Sequence, residues 1–275
     1  MSKRTETRSD RVIPFLKWAG GKRWLVAKSP ELFDIPFTRY VEPFLGSGAV
    51  FFHLAPKRSV LTDRNSELIT TYSAIRDDWR AVWTRLRRHH RHHSKDYYYQ
   101  LRSSTPRSPA GIAARLIYLN RTCWNGLYRV NLSGAFNVPI GTKTDAIYET
   151  DCFESVSQML KSASLKSCDF SKTLDNTGDG DFVFVDPPYT VRHDNNGFIK
   201  YNDSLFSWED QERLRDAVVD SRARGARVLV TNASHPSIEK LYRGIGQHVR
   251  LSRSSVIAGA SEFRGPCHEM AIKCF

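Results

Sequence analysis

The chain has 275 residues, of which 41 are Lys or Arg and 29 are Asp or Glu, so its formal net charge is +12. A chain of this length buries a substantial core, and the positive excess favours a polyanionic partner such as nucleic acid. Its five cysteines contain no C-x-x-C pair and leave an odd one over, so we expect neither a disulfide framework nor a zinc site, and no apolar run approaches a membrane span. We therefore expect a cytoplasmic protein with reduced thiols.

The first motif is FLKWAGGK (Phe15–Lys22), which follows a polar, charged segment that we predict to be a flexible tail (residues 1–12). Its two adjacent glycines allow the backbone to approach a ligand closely. The Gly-Lys pair suggests a nucleotide-phosphate loop, but Leu16 stands where that loop has its first glycine, and Arg23 where it has Ser or Thr. The spacing therefore argues against an NTPase.

A strand, a glycine turn, a helix and a second strand are predicted within 40–63. Gly46 and Gly48 match only the first half of the dinucleotide-binding fingerprint. The second strand ends in Asp63, about 20 residues after Glu42, and an acid at this spacing takes the ribose hydroxyls in Rossmann-like folds. Together these features indicate an adenosine-type ligand.

From Ser66 onward, apolar residues recur every three or four positions, as on the core-facing side of a helix. Asp77 or Asp78 is placed to cap a second helix within this stretch. The helical pattern ends in an Arg/His run, RRHHRHH (87–93). A metal site there is disfavoured because the interleaved arginines repel a cation, so we predict a solvated or phosphate-facing helix end.

Residues 108–141 are predicted to contain a helix and then a polar hairpin. Ser108-Pro109 is typical of a helix start, and Asn125-Gly126 is a β-hairpin signal. The surrounding amides, arginines and aromatic rings are the residue types that hydrogen-bond to base edges and stack on bases. A solvent-exposed hairpin without such a role is the alternative interpretation.

The C-terminal half returns to alternating helices and strands. Its predicted elements are a helix at 153–160, strands at 165–170, 181–185 and 227–232, a helix that begins with a capping box at Ser207 and Asp210, and a final strand pair at 255–258 and 269–275. The long polar loop at 190–203 is predicted to act as a lid. Strands and helices on both sides of a helical insertion predict an α/β fold with an interrupted, doubly wound sheet.

The strand at 181–185 ends in Asp186-Pro187-Pro188-Tyr189, at the sheet edge where open α/β folds bind ligands. An adenine amino group is a poor nucleophile because its lone pair is delocalised into the ring. Asp186 and the Pro187 carbonyl are placed to accept its two N–H bonds, and Tyr189 is placed to stack on the base. A strand-ending turn with an exposed acid is the structural alternative.

Four blocks in order resemble the DNA adenine methyltransferase (Dam) family: FLKWAGGK, VEPFLGSGAVFF (41–52), NRTCWNGLYRVN with GAFNVPIG (120–141), and DPPY. The resemblance covers nearly everything from Pro14 onward. It implies a Rossmann-like class I methyltransferase sheet with an inserted, mostly helical DNA-recognition subdomain. The catalytic, S-adenosylmethionine-binding domain is then expected at 13–65 and 151–275, and the inserted subdomain at 66–150.

The resemblance also implies functional residues, position by position. The implied catalytic residues are Asp186, Pro187, Pro188 and Tyr189. The implied S-adenosylmethionine contacts are Trp18, Lys22, Glu42, Phe44, Gly46, Gly48, Asp63, Asp169, Phe170 and Asp186. The implied DNA contacts are Lys17, Trp124, Asn125, Arg129, Asn131 and Asn137, and no metal is implied. Phe198, Tyr201 and Phe206 match a pattern that the family shows after DPPY.

The implied activity is transfer of a methyl group from S-adenosylmethionine to N6 of adenine at a specific site in duplex DNA, with base flipping. Thr142-Lys143 stands where some GATC-specific members carry an arginine and an aromatic residue, so the target sequence stays open. The enzymatic alternatives act on RNA, cytosine or a protein glutamine, and families with the last two targets usually carry Ser or Asn in place of Asp186.

A DNA-binding relative without catalysis is the alternative from another class, and the intact Gly46, Asp63, Asp186 and Tyr189 count against it. We expect a monomer, with a cognate nuclease or defence system as a further candidate partner.

Overall fold

The structure is a computed structural model of the full chain, and it describes residues 12–131, 134–191, 206–254 and 266–275. The described residues form two compact units. The helical unit consists of those within Met1–Phe33, Gly46–Ala55 and Asn65–Leu165, and the sheet unit of those within Asp34–Leu45, Pro56–Arg64 and Lys166–Phe275. Almost all of the predicted tail lies outside the described residues. Within the described ranges, no helix is long and apolar enough to cross a membrane.

A mixed, seven-stranded sheet is formed by the described residues. Its strands are β1 (Arg39–Glu42), β2 (Ser59–Asp63), β3 (Ala163–Ser167), β4 (Asp181–Val185), β5 (Arg227–Ala233), β6 (Gln247–Ser254) and β7 (Pro266–Cys274). Their order is β3-β2-β1-β4-β5-β7-β6, with β2, β1, β4 and β5 parallel and β7 antiparallel to both neighbours. The chain winds outward from β1 on one side and then places β4 on the other, so the topological switch point lies between β1 and β4. This confirms the predicted doubly wound, Rossmann-like α/β sheet.

Strand β4 is the apolar run that the sequence predicts to be buried on both faces, and all five of its residues are buried. Val41, Val183 and Val228 are in register on β1, β4 and β5 and belong to one hydrophobic core. At the start of β4, Asp181 accepts two hydrogen bonds from the Arg39 guanidinium, at 2.6 and 2.7 Å. This ion pair helps to fix the alignment of β1 with β4, and with it the positions of their carboxyl ends.

The helices are divided between the two units. Those of the helical unit are α1 (Arg23–Lys28), α2 (Ala49–Leu54), α3 (Ser66–Arg91), α4 (Lys95–Ser103), α5 (Pro109–Thr122) and α6 (Phe153–Leu160). Those of the sheet unit are α7 (Phe170–Leu174), α8 (Trp208–Ala223) and α9 (Pro236–Leu241). The predicted helix starts are confirmed at Ser108, which caps α5, and at the capping box of Ser207 and Asp210, which begins α8. Helix α3 is kinked at Asp78, whose side chain accepts a hydrogen bond from the Ala81 N–H at 3.0 Å, as predicted for a second helix start.

The predicted hairpin turn at Asn125-Gly126 is wrong in position. These residues have φ values of 55° and 66° and lie in a short 3₁₀ helix (Trp124–Gly126) directly after α5. The chain instead reverses between Asn131 and Ala135, whose main chains are joined by a 2.9 Å hydrogen bond. An Asn-Gly pair supplies two consecutive positive φ values in either setting, so local preference alone does not distinguish the two.

Two other predictions are wrong, one in the bounds of a strand and one in the strand that pairs with β7, and one helix was not predicted. The strand predicted at 165–170 is β3 at 163–167, because Asp169 caps α7 and Phe170 begins it. The strand that pairs with β7 is β6 at 247–254, whereas the predicted 255–258 lies outside the described residues, as does most of the predicted lid at 190–203. Helix α4 is missing from the sequence prediction because only Tyr98 on it is buried, which leaves no periodic apolar face to detect.

Candidate active site

Three carboxylates follow parallel strands of the sheet unit. Glu42 ends β1, Asp63 ends β2, and Asp186 comes directly after β4. Because β1 pairs with both β2 and β4, these acids lie along one edge of the sheet, at its switch point. Glu42 is buried and accepts a hydrogen bond from the Tyr40 hydroxyl at 2.9 Å. Burial, followed by the negative charge of Glu42, raises the pKa of Tyr40 well above its usual range, so this phenol remains a donor.

The turn at 186–189, which we call the DPPY turn, is held by hydrogen bonds to its side chains. The Thr231 hydroxyl of β5 donates to Asp186 Oδ1 at 2.7 Å. The Tyr189 hydroxyl donates to Glu269 Oε2 of β7 at 2.7 Å. Asp186 and Tyr189 are half-buried, whereas Glu269 is only 1% exposed. A buried hydroxyl thus orients the predicted catalytic carboxylate, and a buried carboxylate orients the predicted stacking ring.

The protonation state of Tyr189 follows from its surroundings. Burial raises the pKa of its phenol well above the usual value, and the negative charges of Asp186 and Glu269 raise it further. The phenol is therefore protonated at neutral pH and acts as a hydrogen-bond donor rather than as a base.

A second set of hydrogen bonds holds the main chain of the DPPY turn. Gln211 Nε2 of α8 donates to the Pro188 carbonyl at 3.2 Å. Asn232 Nδ2 of β5 donates in turn to Gln211 Oε1 at 3.0 Å. Both amides are fully buried, where a polar group that loses its partner costs about 1–3 kcal/mol. The turn is therefore fixed at its main chain as well as at its side chains.

Aromatic residues beside the switch point form a packed cluster. Phe44 stacks on Phe170 with ring centroids 5.5 Å apart and 26° between the planes, and it meets Phe206 edge-on at 5.7 Å. Phe170 and Phe206 are buried, whereas Phe44 is half-buried. Phe44 is therefore the accessible member of the cluster, and the cofactor contact expected of Phe170 stays a prediction.

Asp169 lies at the N-terminus of α7. Its Oδ1 accepts hydrogen bonds from the Ser171 N–H at 3.1 Å, the Ser171 hydroxyl at 2.8 Å and Arg213 Nη2 at 3.0 Å. Burial raises the pKa of Asp169, but the hydrogen bonds from Ser171 and the charge of Arg213 outweigh burial and lower it overall. Asp169 is therefore an ionised acceptor at neutral pH.

In the helical unit, Trp18 stacks on Tyr128 with ring centroids 5.0 Å apart and 24° between the planes. Gly46 has a φ of 49°, and a Cβ added to it would lie 2.9 Å from Trp18 Cδ1. The glycine is therefore required by the packing of the indole, whatever its role toward a cofactor. Lys22 is buried, and its ammonium group donates to the Gly20 carbonyl at 2.6 Å.

Lys17, a predicted DNA contact, is tied to α5 through its main chain. Asn120 Oδ1 accepts a hydrogen bond from the Lys17 N–H at 2.9 Å, and its amide donates to the Lys17 carbonyl at 2.7 Å. Burial lowers the pKa of Lys17, and the nearby charge of Lys143 lowers it further. The positive charges of Lys17 and Lys143 therefore interact, and together they make this part of the helical unit positive.

The other predicted DNA contacts differ in exposure. Trp124 is 52% exposed, and Asn125 and Arg129 are exposed as well. Arg129 Nε donates to Asn137 Oδ1 at 2.9 Å, which orients the guanidinium. Asn131 Oδ1 accepts a hydrogen bond from a main-chain N–H four residues on, at 2.9 Å, and so closes the chain reversal. Asn131 is exposed too, whereas Asn137 is half-buried, so Trp124, Asn125, Arg129 and Asn131 are the accessible candidates.

The predicted site residues therefore fall into two groups. The sheet unit holds Glu42, Phe44, Asp63, Asp169, Phe170 and the DPPY turn. The helical unit holds Trp18, Lys22, Gly46, Gly48 (the N-cap of α2, with a φ of 65°) and all the predicted DNA contacts.

Four residues that contact the DPPY turn or its supports are missing from the sequence prediction. Thr231 and Asn232 carry a detectable signal, because they are polar residues that end an apolar strand at the same sheet edge. Glu269 carries another sequence signal, because it directly precedes the apolar run Met270–Ile272. An acid buried beside such a run is costly unless it has a partner. Gln211 has no such signal in the sequence.

A seven-stranded, doubly wound sheet with an acidic DPPY turn at its switch point defines a Rossmann-like methyltransferase. Comparison with known families narrows the class, because residues 18–256 match the D12 class N6 adenine-specific DNA methyltransferase family. The chain belongs to this family. It is an adenine-specific DNA methyltransferase, which transfers a methyl group to N6 of adenine in DNA.

Individual relatives agree with this assignment. The chain is 39% identical to a type II methyltransferase of Lactococcus lactis subsp. cremoris, over 94% of each protein. It is 32% identical to a type II methyltransferase of Methanocaldococcus jannaschii, over 85% of this chain and 89% of the relative. It is 30% identical to a DNA adenine methylase of Vibrio cholerae, over 84% of each. The family resemblance predicted from the sequence is confirmed.

Proposed function

We propose that the methyl donor is S-adenosylmethionine and that the acceptor is an adenine flipped out of duplex DNA at a specific sequence. The observation that supports this most directly is the DPPY turn, in which buried side chains at the switch point hold the Asp186 carboxylate, the Pro188 carbonyl and the Tyr189 ring. In this proposal, residues 13–65 and 151–275 bind the cofactor and catalyse transfer, and residues 66–150 recognise DNA.

The chemistry assigned to the turn is positioning and electrostatic stabilisation. S-adenosylmethionine supplies an electrophilic methyl group on its sulfonium. Asp186 and the Pro187 carbonyl accept the two N–H bonds of the adenine amino group, which draws its nitrogen toward the tetrahedral geometry needed for attack. Thr231 orients the Asp186 carboxylate through Oδ1. No covalent enzyme intermediate and no metal are assigned.

Tyr189 is assigned to the flipped base. Extruding a nucleotide from the duplex costs a few kcal/mol. Stacking a base on an aromatic ring returns roughly 1–3 kcal/mol, and a half-buried ring beside Asp186 is suited to this role.

The acceptors at the sheet edge fit the adenosine part of S-adenosylmethionine. Ribose hydroxyls need acceptors, which Glu42 and Asp63 supply, and an adenine amino group needs one, which Asp169 supplies. Phe44 offers the accessible apolar surface for the base. The contacts expected from Trp18, Lys22, Gly46, Gly48 and Phe170 stay predictions.

DNA recognition is assigned to exposed residues of the helical unit. Trp124, Asn125 and Arg129 are proposed to contact base edges, and Lys17 together with Lys143 a phosphate. Two of the relatives above are named type II methyltransferases, which supports a cognate restriction nuclease as a cellular partner.

The cofactor assignment is tested by Asp63→Ala. A hydrogen bond from a hydroxyl to a charged acceptor contributes about 1.5–3 kcal/mol, so affinity for S-adenosylmethionine should fall roughly ten- to a hundred-fold. Isothermal titration calorimetry without DNA measures this, with Asp34→Ala, which removes an exposed acid of the sheet unit, as the matched control. Unchanged affinity in Asp63→Ala would overturn the assignment.

A further inference from the structure

We propose that Glu269 is a positioning residue for methyl transfer, because it anchors the Tyr189 ring in the orientation that receives the flipped base. This inference rests on the function proposed for the DPPY turn and adds to it a residue outside the motif.

The anchor is a short, charge-assisted hydrogen bond. The Tyr189 hydroxyl lies 2.7 Å from Glu269 Oε2, within the range of a phenol that donates to a carboxylate. Glu269 lies on β7, an interior strand, and is opposite Ala233 of β5 and Leu251 of β6. At 1% exposure its carboxylate is held inside the sheet unit and does not reach solvent.

A carboxylate at this position is costly without a function. An ionised acid removed from water loses several kcal/mol of solvation, which hydrogen bonds must offset, and an apolar side chain would pack there without that cost. The next three residues of β7, Met270–Ile272, are buried and apolar, as expected for an interior strand. Glu269 departs from this apolar pattern, and it is the residue that accepts the hydrogen bond from Tyr189, the predicted stacking ring.

The rest of the DPPY turn leaves only the Tyr189 side chain to be fixed. Pro187 and Pro188 have restricted φ angles, and Gln211 holds the Pro188 carbonyl. The remaining freedom is rotation about χ1 and χ2 of Tyr189. A bond from its hydroxyl to a buried carboxylate removes that freedom, since it ties down the end of the ring farthest from the main chain.

Anchoring affects catalysis through the fraction of molecules whose ring is correctly placed. Apparent affinity for the flipped base falls in proportion to that fraction. A hydrogen bond to a charged group favours the anchored rotamer by roughly ten- to a hundred-fold over unanchored ones. Glu269 thus acts through the phenol oxygen of Tyr189, whereas the face of the ring contacts the base.

The test is a double-mutant cycle on the full-length protein. Glu269→Met removes the acceptor at similar volume, Glu269→Gln keeps an acceptor oxygen, and Tyr189→Phe removes the donor. Each variant and the combined Tyr189→Phe/Glu269→Met protein are assayed for kcat, for KM toward S-adenosylmethionine, and for 2-aminopurine fluorescence at the target base. Glu239→Gln is the matched control, because it changes a more exposed carboxylate of the sheet unit that pairs with Arg250.

We expect Glu269→Met to lower kcat about tenfold with an unchanged KM for S-adenosylmethionine, and to alter the 2-aminopurine signal. Glu269→Gln should restore most of the activity, and Glu239→Gln should match the wild type. The combined variant should be no less active than either single variant, because both remove the same bond. If circular dichroism shows that Glu269→Met does not fold, the cycle is run with Glu269→Gln, whose smaller effect should likewise vanish beside Tyr189→Phe.

Two results would overturn the inference while leaving the proposed function intact. One is a wild-type kcat in Glu269→Met. The other is a Glu269→Met substitution that lowers kcat by the same factor in the Tyr189→Phe protein as in the wild type. If the wild type methylates DNA but 2-aminopurine shows no response either with it or with Tyr189→Ala, which lacks the ring that could quench the flipped base, base flipping would be overturned, and this inference with it.

Discussion

Thr231 is the residue whose single hydroxyl bears most directly on the proposed catalytic acid. Thr231→Val removes the hydrogen bond to Asp186 while keeping the shape of the side chain. Because a bond to a charged group is worth about 1.5–3 kcal/mol, we expect kcat to fall about tenfold or more with little change in KM for S-adenosylmethionine. Thr231→Ser retains the hydroxyl and is the matched control. Equal kcat values for the two variants in a methylation assay would contradict the role.

The site residues that were predicted from the sequence differ from those that were missed in their separation along the chain from the residues they act with. The DPPY turn is recognisable because its four residues are adjacent and end a buried strand. Thr231 lies 45 residues from Asp186, and Glu269 lies 80 residues from Tyr189. The sheet order brings these partners together, and a local pattern does not contain that order. Supporting residues are therefore predictable only once the strand pairing is known.

At the scale of the element, α3 carries a stripe of exposed arginines that extends the predicted phosphate-facing helix end toward its N-terminal side. Arg80, Arg87 and Arg91 are spaced seven and four residues apart, so they share the helix face opposite the buried Val82 and Leu86. The stripe is about 16 Å long at 1.5 Å per residue. Residues 79–93 contain five arginines and no acid. This supports the predicted phosphate-facing surface rather than one that reads bases.

Replacing Arg87 and Arg91 with alanine should weaken binding to all duplexes alike. Each lost phosphate contact should reduce the slope of log K against log salt by roughly 0.9. Arg87→Lys keeps the charge and is the matched control.

Arg129→Ala should instead cost about 1–3 kcal/mol for the cognate sequence only, because it is proposed to contact a base edge. Fluorescence anisotropy across salt concentrations separates the two patterns, and equal effects of Arg129→Ala on cognate and random duplexes would contradict its role.

The histidine run at the end of α3 has a structural explanation. His89 Nδ1 lies 2.7 Å from the Tyr97 hydroxyl, and His93 Nδ1 lies 2.7 Å from the Tyr118 hydroxyl. Burial, followed by the charges of nearby arginines, lowers the pKa of His89 from 6.5 to about 4. These histidines therefore join α3 to α4 and α5, and the helix end is packed as well as charged.

The lowered pKa of His89 predicts a pH dependence of stability. Below pH 6.5 the unfolded chain binds a proton at His89 that the folded protein does not, so the free energy of unfolding should fall as pH drops from about 6.5 to about 4. His89→Gln should flatten the dependence in this window, as measured by urea denaturation at several pH values. His92→Gln, at an exposed position of the same run, is the control variant. An unchanged slope in His89→Gln would contradict the prediction.

At the scale of the whole molecule, the sheet was largely predictable and the DNA-facing segment less so. Strands such as β4 are recognised because burial on both faces demands a continuous apolar run, and β1 and β2 because a glycine turn and an acid punctuate them. The segment after α5 has short bridges in place of strands, so its reversal at Asn131 had no periodic signal. Which aromatic and polar residues of this segment are able to contact DNA depends on their exposure. The spacing of residues in the sequence does not reveal that exposure.

The central claim is that Asp186 activates an adenine amino group for methylation. The most direct test incubates the purified protein with methyl-labelled S-adenosylmethionine and duplex DNA, and then identifies the labelled nucleoside by mass spectrometry. We predict that the wild type forms N6-methyladenine, and that folded Asp186→Ala forms it roughly a hundred- to a thousand-fold more slowly at saturating cofactor, the usual cost of removing a group that stabilises a transition state. Label found on cytosine, or an Asp186→Ala variant as fast as the wild type, would contradict the account.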